Sequence, residues 1–248
     1  MTAQRGRVAV VTGGLGAIGT AICQALAAQG CRVGAIGHPS EAERVDAWKR
    51  GFAGEVAVEL CDLGDHAAAN SAIGSIDAVL GPIDILVNCA GITRDARFTK
   101  MTVQQWREVM SANLDSVFNA TKPVFEGMCQ RGFGRVVNIS SVNGQRGQFG
   151  QANYSAAKAG MHGFTMALAQ EGAAKGVTVN TIAPGYVETP MTAEMRPDIL
   201  EKIVASIPVG RRGQPADIAR AVAFLCAEDA GYITGALLAV NGGLFMSA

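Results

Sequence analysis

Apolar and polar positions follow two rhythms along this chain. Short, β-branched apolar runs at 7–12, 31–36, 56–60, 83–87, 135–139, 177–182 and 235–240 predict strands, several of them apolar enough to be buried on both faces. Between them lie longer stretches with apolar residues at helical spacing, as at 20–29, 102–131 and 151–175. Strand and helix alternate from end to end with short turns between them. That order predicts an α/β, doubly wound domain: a mainly parallel, seven-stranded sheet with helices on both faces. No linker or repeat divides the chain, so 1–248 reads as one domain.

Local signals sharpen this outline. Thr102-Val103-Gln104-Gln105 is a capping box that opens a long helix over 102–131. Gln214-Pro215 places a proline in the first turn of a later helix. The stretch 189–210 is amphipathic but broken by Pro190 and Pro197, which suits a substrate lid.

In such a sheet, ligands bind beyond the carboxyl ends of the strands. The first strand runs straight into Gly13-Gly14-Leu15-Gly16-Ala17-Ile18-Gly19 and then a helix. Strand, glycine turn and helix are what a Rossmann dinucleotide-binding loop needs: backbone N–H groups approach the pyrophosphate, and the helix N-terminus favours its charge. Gly13, Leu15, Gly16, Ile18 and Gly19 are the expected contacts. After the second strand, Gly37-His38-Pro39-Ser40 offers neither an acid for a ribose 2′-hydroxyl nor an arginine for a 2′-phosphate. Glu41, Glu43 and Arg44 follow, which leaves NADH and NADPH both open. Asp62 fits either a contact to the adenine amino group or a helix cap. Asn88, Ala90 and Gly91 end the fourth strand, where small residues allow close approach of a flat ring or ribose. Pro184 and Gly185 end the sixth.

The chemistry gathers at 141–158. Tyr154 and Lys158 are four apart, hence one turn apart on one face of a helix. An ammonium there disfavours the neutral phenol and is expected to lower its pKa from about 10 toward the working pH. Ser141 lies thirteen residues upstream of Tyr154, across a glycine-rich loop that can bring its hydroxyl back over the phenol. Two hydroxyls aimed at one oxygen suit the reduction of a ketone. Asn113 falls inside the helix over 102–131, where it is either a tolerated polar residue or a place where the helix opens around a water.

Composition narrows the classes. Hydrophobic residues make up 49% and charged residues 17%, so a large core is expected and disorder is not. Gly is abundant, 31 residues, and sits in the turns between apolar runs. Lys+Arg and Asp+Glu balance at 21 each, with no basic patch for nucleic acid. Six scattered cysteines without Cys-x-x-Cys spacing, and three histidines, argue against a metal site or a disulfide framework. The N-terminus lacks a signal-peptide core and no run reaches about 18 apolar residues, so a cytoplasmic protein without membrane partners is expected.

Taken together, Thr12-Gly13 through Gly19, Asn88-Cys89-Ala90-Gly91, Asn113, Ser141, Tyr154-x-x-x-Lys158 and Pro184-Gly185 resemble the short-chain dehydrogenase/reductase family in its short form, over nearly the whole chain. Ala17 departs from the glycine usual in that loop; a methyl there should be tolerable, with a slight shift of cofactor contacts. A narrower likeness is to the acetoacetyl-CoA reductases of polyhydroxybutyrate synthesis. It rests on Gly91-Ile92-Thr93-Arg94-Asp95, on 138–145, on Gly147-Gln148-Phe149-Gly150-Gln151, on 160–170 and on Asn241-Gly242-Gly243-Leu244.

The resemblance implies NAD(P)H-dependent reduction of acetoacetyl-CoA to the (R)-3-hydroxy product, with Asn113, Ser141, Tyr154 and Lys158 catalytic. It places Gln148, Phe149, Gln151 and Tyr186 around the acyl group, beside Ser141 and Tyr154. It also implies a homotetramer built through the helices over 102–131 and 151–175. NADPH-using members of that group carry basic residues after the second strand. Here Glu43 stands in that neighbourhood beside Arg44, and a carboxylate repels a 2′-phosphate, so NADH is the expected cofactor. Two rivals stay open: a 3-oxoacyl-(acyl-carrier-protein) reductase, and a nucleotide-sensing protein without catalysis. A serine hydrolase is disfavoured, because Ser141 lacks a Gly-x-Ser-x-Gly elbow.

Overall fold

In the computed structural model, residues 6–189 and 196–246 are described. Seven strands form one sheet: β1 (Val8–Thr12), β2 (Arg32–Gly37), β3 (Val56–Leu60), β4 (Ile83–Asn88), β5 (Gly134–Ile139), β6 (Val177–Pro184) and β7 (Leu237–Val240). Their spatial order is β3-β2-β1-β4-β5-β6-β7, and every neighbouring pair is parallel. The sheet expected to be mainly parallel is therefore wholly so. Strand bounds differ from the expected ones by no more than two residues. The order reverses between β1 and β4, which opens a crevice at the carboxyl ends of those two strands.

Alternate residues of each central strand serve opposite faces. Ala9 and Val11 of β1 pack with Ile22 and Leu26 of α1 (Ala17–Ala28) and with Ile218 and Val222 of α9 (Pro215–Cys226). Val8 and Val10 pack instead with Ile76 and Leu80 of α3 (His66–Leu80). On that same face lie Val124 and Met128 of α5 (Ser116–Arg131). The sheet is thus covered on both sides, and each fully buried Ile or Leu stabilises by about 1.5–3 kcal/mol.

A polar thread crosses this apolar sheet. Asn88 Nδ2 donates to Thr121 Oγ1 (3.1 Å) and to Asn138 Oδ1 (2.8 Å). Asn138 Nδ2 donates to Thr165 Oγ1 (2.8 Å), which shares a proton with Thr181 Oγ1 (2.7 Å). All five side chains are buried and nearly all their polar groups are paired, as buried polar groups must be.

The helix expected over 102–131 is three pieces. Thr102 caps α4 (Val103–Met110) through the expected box with Gln105, a wider π turn follows at Ser111–Asp115, and α5 continues. Between β5 and α7 (Ala152–Gly172), a short helix α6 (Val142–Arg146) stands where a glycine loop was expected. Ser141 caps it, accepting from the N–H of Asn143 (3.1 Å), and Gly147, at φ 72°, ends it. Two short segments complete the chain order, α2 (Val45–Lys49) and α8 (Pro197–Ser206). The expected lid at 189–210 contains α8, while its residues 190–195 lie outside the described ones. Among the described residues, no helix is long and apolar enough to cross a membrane.

Candidate active site

A cleft of about 560 Å³ lies at the crevice between β1 and β4. Its floor is the glycine turn. Thr12 ties the two strand ends together, its Oγ1 accepting from the N–H groups of Cys89 (3.0 Å) and Ala90 (3.2 Å). Gly13 adopts φ 63°, and a side chain there would meet Ala90 Cα at 2.9 Å. The first turn of α1 has no side-chain cap and no acidic residue, so its N–H groups face the cleft unneutralised. Gly16, Ala17, Ile18 and Gly19 line the cleft there, and the methyl of Ala17 fits at the first helical position.

Of the thirteen expected cofactor residues, the cleft brings together Gly13, Gly16, Ile18, Gly19, Asp62, Ala90, Gly91, Tyr154, Lys158, Pro184 and Gly185. Two side chains lie elsewhere. Leu15 is packed in the core under α1, and Asn88 belongs to the polar thread beneath the floor. Both are buried because they face the sheet, not the crevice. Asp62 is not the helix cap: Asp65 caps α3 through Ala67 and Ala68, while Asp62 accepts from Gly64 N–H (2.9 Å) at the cleft wall.

The carboxylate after β2 also differs from the expected one. Glu43 is exposed and outside the cleft; Glu41 lines it. Glu41 accepts from the N–H of His38 (3.0 Å) and pairs with Arg44 (3.0 Å). Arg44 also donates to the carbonyl of Leu15 (2.9 Å), so this corner is locked to the glycine turn. Pro39–Arg44 forms a 3-10 turn, which moves the acid two places upstream of where strand counting puts it.

Tyr154 and Lys158 sit on α7, with the ammonium 5.6 Å from the phenol ring centroid. Lys158 Nζ donates to the carbonyl of Ile139 (2.8 Å), at the end of β5. Gly144 allows this fit, because a Cβ there would come within 2.9 Å of the Lys158 backbone. Next to it, Ser140 Oγ donates to the Lys158 carbonyl (2.8 Å) and contacts His162 Nε2 (2.8 Å). Burial pushes Lys158 down to about 8. Burial likewise pushes Tyr154 up to about 12, against the opposing pull of a hydrogen bond with Ser141. The expected lowering of the phenol is therefore not what the protein alone provides: desolvation outweighs it. At neutral pH the tyrosine holds its proton and the lysine its charge.

The helix opens at Asn113, the part of the second expectation that concerns the backbone. Asn113 lies in the π turn, fully buried, and donates to Val109 O (2.8 Å) and Ile92 O (2.9 Å). Its Oδ1 has no protein partner and lies against Gly91, where a Cβ would meet it at 2.4 Å. A turn of this type inside an α-helix often marks a functional site.

The expected substrate residues divide. Ser141, Tyr154 and Tyr186 line the cleft. Gln148 and Phe149 are exposed and outside the lining, Phe149 lying 5.7 Å under the Arg97 guanidinium. Gln151 spends both ends of its amide on Asn143 and Asp95. Ile92, Thr93, Val187 and Thr189, not among the expected site residues, also line the cleft. Ile92 and Thr93 lie in the stretch 91–95 that carries the narrower likeness, Thr189 begins the expected lid, and Val187 had no signal beyond nearness to a strand end.

A family model described as enoyl-(acyl carrier protein) reductase, one of the short-chain dehydrogenase/reductase models, matches residues 14–245. The chain belongs to the short-chain dehydrogenase/reductase family. As a short-chain dehydrogenase/reductase it is an oxidoreductase, and its cleft fits a nicotinamide dinucleotide. The uncapped turn of α1 suits a pyrophosphate, and the unpaired Oδ1 of Asn113 and the partly committed Lys158 ammonium await polar partners. The chain is 60% identical to an acetoacetyl-CoA reductase of Allochromatium vinosum, over 97% of this chain and 99% of that one. It is 52% identical to an acetoacetyl-CoA reductase of Cupriavidus necator, over 97% and 98%. It is 43% identical to a 3-oxoacyl-(acyl-carrier-protein) reductase of Escherichia coli, again over 97% and 98%.

Proposed function

We propose that this protein reduces acetoacetyl-CoA to (R)-3-hydroxybutyryl-CoA, within polyhydroxybutyrate synthesis. The observation that carries this reading is the likeness at 60% and 52% identity to two proteins so named, against 43% to the carrier-protein reductase. A bound, reduced nicotinamide supplies the hydride. Tyr154, protonated at neutral pH, gives its proton to the ketone oxygen as general acid. The Ser141 hydroxyl, capping α6 as an acceptor, keeps its own proton to stabilise charge growing on that oxygen. Lys158 holds a positive charge beside the phenol and eases the proton's departure. Asn113 offers its unpaired carbonyl oxygen to a water that returns the proton. Asp62 is assigned to the adenine, Gly13 to Gly19 to the pyrophosphate, and Tyr186, Gln148 and Phe149 to the acyl side.

NADH is the proposed cofactor. Glu41 suits a free ribose hydroxyl and repels a phosphate, and its partner Arg44 is already held twice. Exposed Val103, Trp106, Phe118 and Met166 on α4, α5 and α7 support a homotetramer through those helices, in a cytoplasmic setting.

Initial rates with acetoacetyl-CoA, using NADH and NADPH in parallel, test the reading. Fast oxidation of NADH is expected. Faster turnover of NADPH would assign the corner to Arg44, and a preference for the carrier-protein thioester would replace the substrate.

A pH profile tests the lysine. Lys158 has its pKa lowered from 10.5 to about 8, so its charge is present below that value and lost above it. The kcat/KM for the dinucleotide, which reports the free enzyme, is expected to fall about tenfold per unit above about pH 8. A profile level to pH 10 would show that the ammonium is not required.

A further inference from the structure

Three elements meet at the mouth of the cleft: the loop after β4, the short helix α6 and the start of α7. One side chain joins them. Gln151 Nε2 donates to Asp95 Oδ2 (2.8 Å), and Gln151 Oε1 accepts from Asn143 Nδ2 (2.9 Å). Asn143 then donates its backbone N–H to Ser141 Oγ (3.1 Å). The direction of this chain is fixed from its outer end. A carboxylate only accepts, so the amide nitrogen of Gln151 faces Asp95. The carbonyl of Gln151 then faces inward and requires the amide nitrogen of Asn143. Asn143 Oδ1 is left buried without a partner.

At the inner end the link is the backbone of Asn143, whose N–H can only donate; the side-chain bonds hold that N–H in place against Ser141 Oγ. With Oγ accepting from Asn143, the Ser141 proton is left to point toward Tyr154 and the reacting oxygen. We propose that Asp95, Gln151 and Asn143 form a brace that sets Ser141, making Gln151 a positioning residue for that hydroxyl. The proposal rests on the ketone-reducing role given to Ser141 above. Other bonds hold the same elements together: Ala96 N–H to Gly150 O (2.9 Å), and Asn153 Nδ2 to the carbonyls of Arg94 (3.1 Å) and Gln105 (3.2 Å). Loss of the brace therefore shifts Ser141 without unfolding the mouth.

Exchanging the two end groups tests this. Gln151→Glu puts two carboxylates in contact and is expected to lower kcat about five- to tenfold, with KM for the thioester little changed. Asp95→Asn retains an acceptor and should lose less than about threefold. In the double variant the new amide donates to the new carboxylate, so kcat should return to within about twofold of wild type. A double variant no better than Gln151→Glu, or a change in KM alone, would overturn the brace. Melting midpoints of the four proteins give a readout free of substrate: lowered in Gln151→Glu and restored in the double variant. Equal midpoints with no kinetic rescue would likewise overturn it. Were the wild type to reduce a different ketone, the substrate assignment would fail, and the same comparison with that ketone would still judge the brace.

Discussion

Tyr154→Phe is expected to lower kcat about a thousandfold, with cofactor affinity and melting midpoint close to wild type. Such a loss corresponds to about 4 kcal/mol of transition-state stabilisation. The substitution removes one oxygen and keeps the ring beside which Lys158 lies. The phenol contributes a hydrogen bond with Ser141 and the proton itself. Two other proton-bearing groups lie near it among the described residues. Lys158 is engaged with Ile139, and the nearby thiol of Cys89 is pushed up to about 11 by burial. Stopped-flow oxidation of the reduced dinucleotide with a saturating ketone would measure the effect. Turnover within tenfold of wild type would remove Tyr154 as the proton donor.

Gly19→Ala is expected to raise the dissociation constant for the dinucleotide more than tenfold and to destabilise the fold by about 1–3 kcal/mol. An added Cβ would sit 2.1 Å from the carbonyl oxygen of Gly13, and 2.8 Å from Gly14 Cα. These are backbone atoms, so no side chain can rotate away. Relief requires the turn to move, and with it the N–H groups of α1. Gly16→Ala is the control, since its Cβ would meet only Gly13 O at 3.3 Å. Fluorescence titration and thermal melting of the two variants would separate the cases. Equal binding by Gly19→Ala would mean that the turn does not cradle the ligand.

Periodicity made the layers of the fold legible, because a strand buried on both faces must be apolar throughout, as Val8 to Val11 are. The strand-end rule gathers Gly13, Asn88, Ser141 and Pro184 at one edge, and three of these, Gly13, Ser141 and Pro184, line the crevice. What escaped was set by packing over distance. Asn88 looked like a ligand contact because of its place at a strand end, but its partners Thr121 and Asn138 are 33 and 50 residues away. Glu43 was expected at the cleft and Glu41 lines it instead, because a 3-10 turn rotates residues by a different angle than an α-helix. The pKa of Tyr154 could not be read from Lys158 four residues on, because desolvation depends on every neighbour.

The polar thread from Thr121 to Thr181 has a consequence for redesign. Valines and isoleucines facing both ways hold strands together but distinguish poorly between one alignment and the next. The amide pair Asn88–Asn138 and the hydroxyl pair Thr165–Thr181 work as a key between β4, β5 and β6. A slip of one residue carries the end of β5 about 3.3 Å along and turns its side chains over. Replacing the key by leucines to harden the core would thus risk an intact, stable sheet of the wrong alignment, with Ser141 facing away from the phenol it serves.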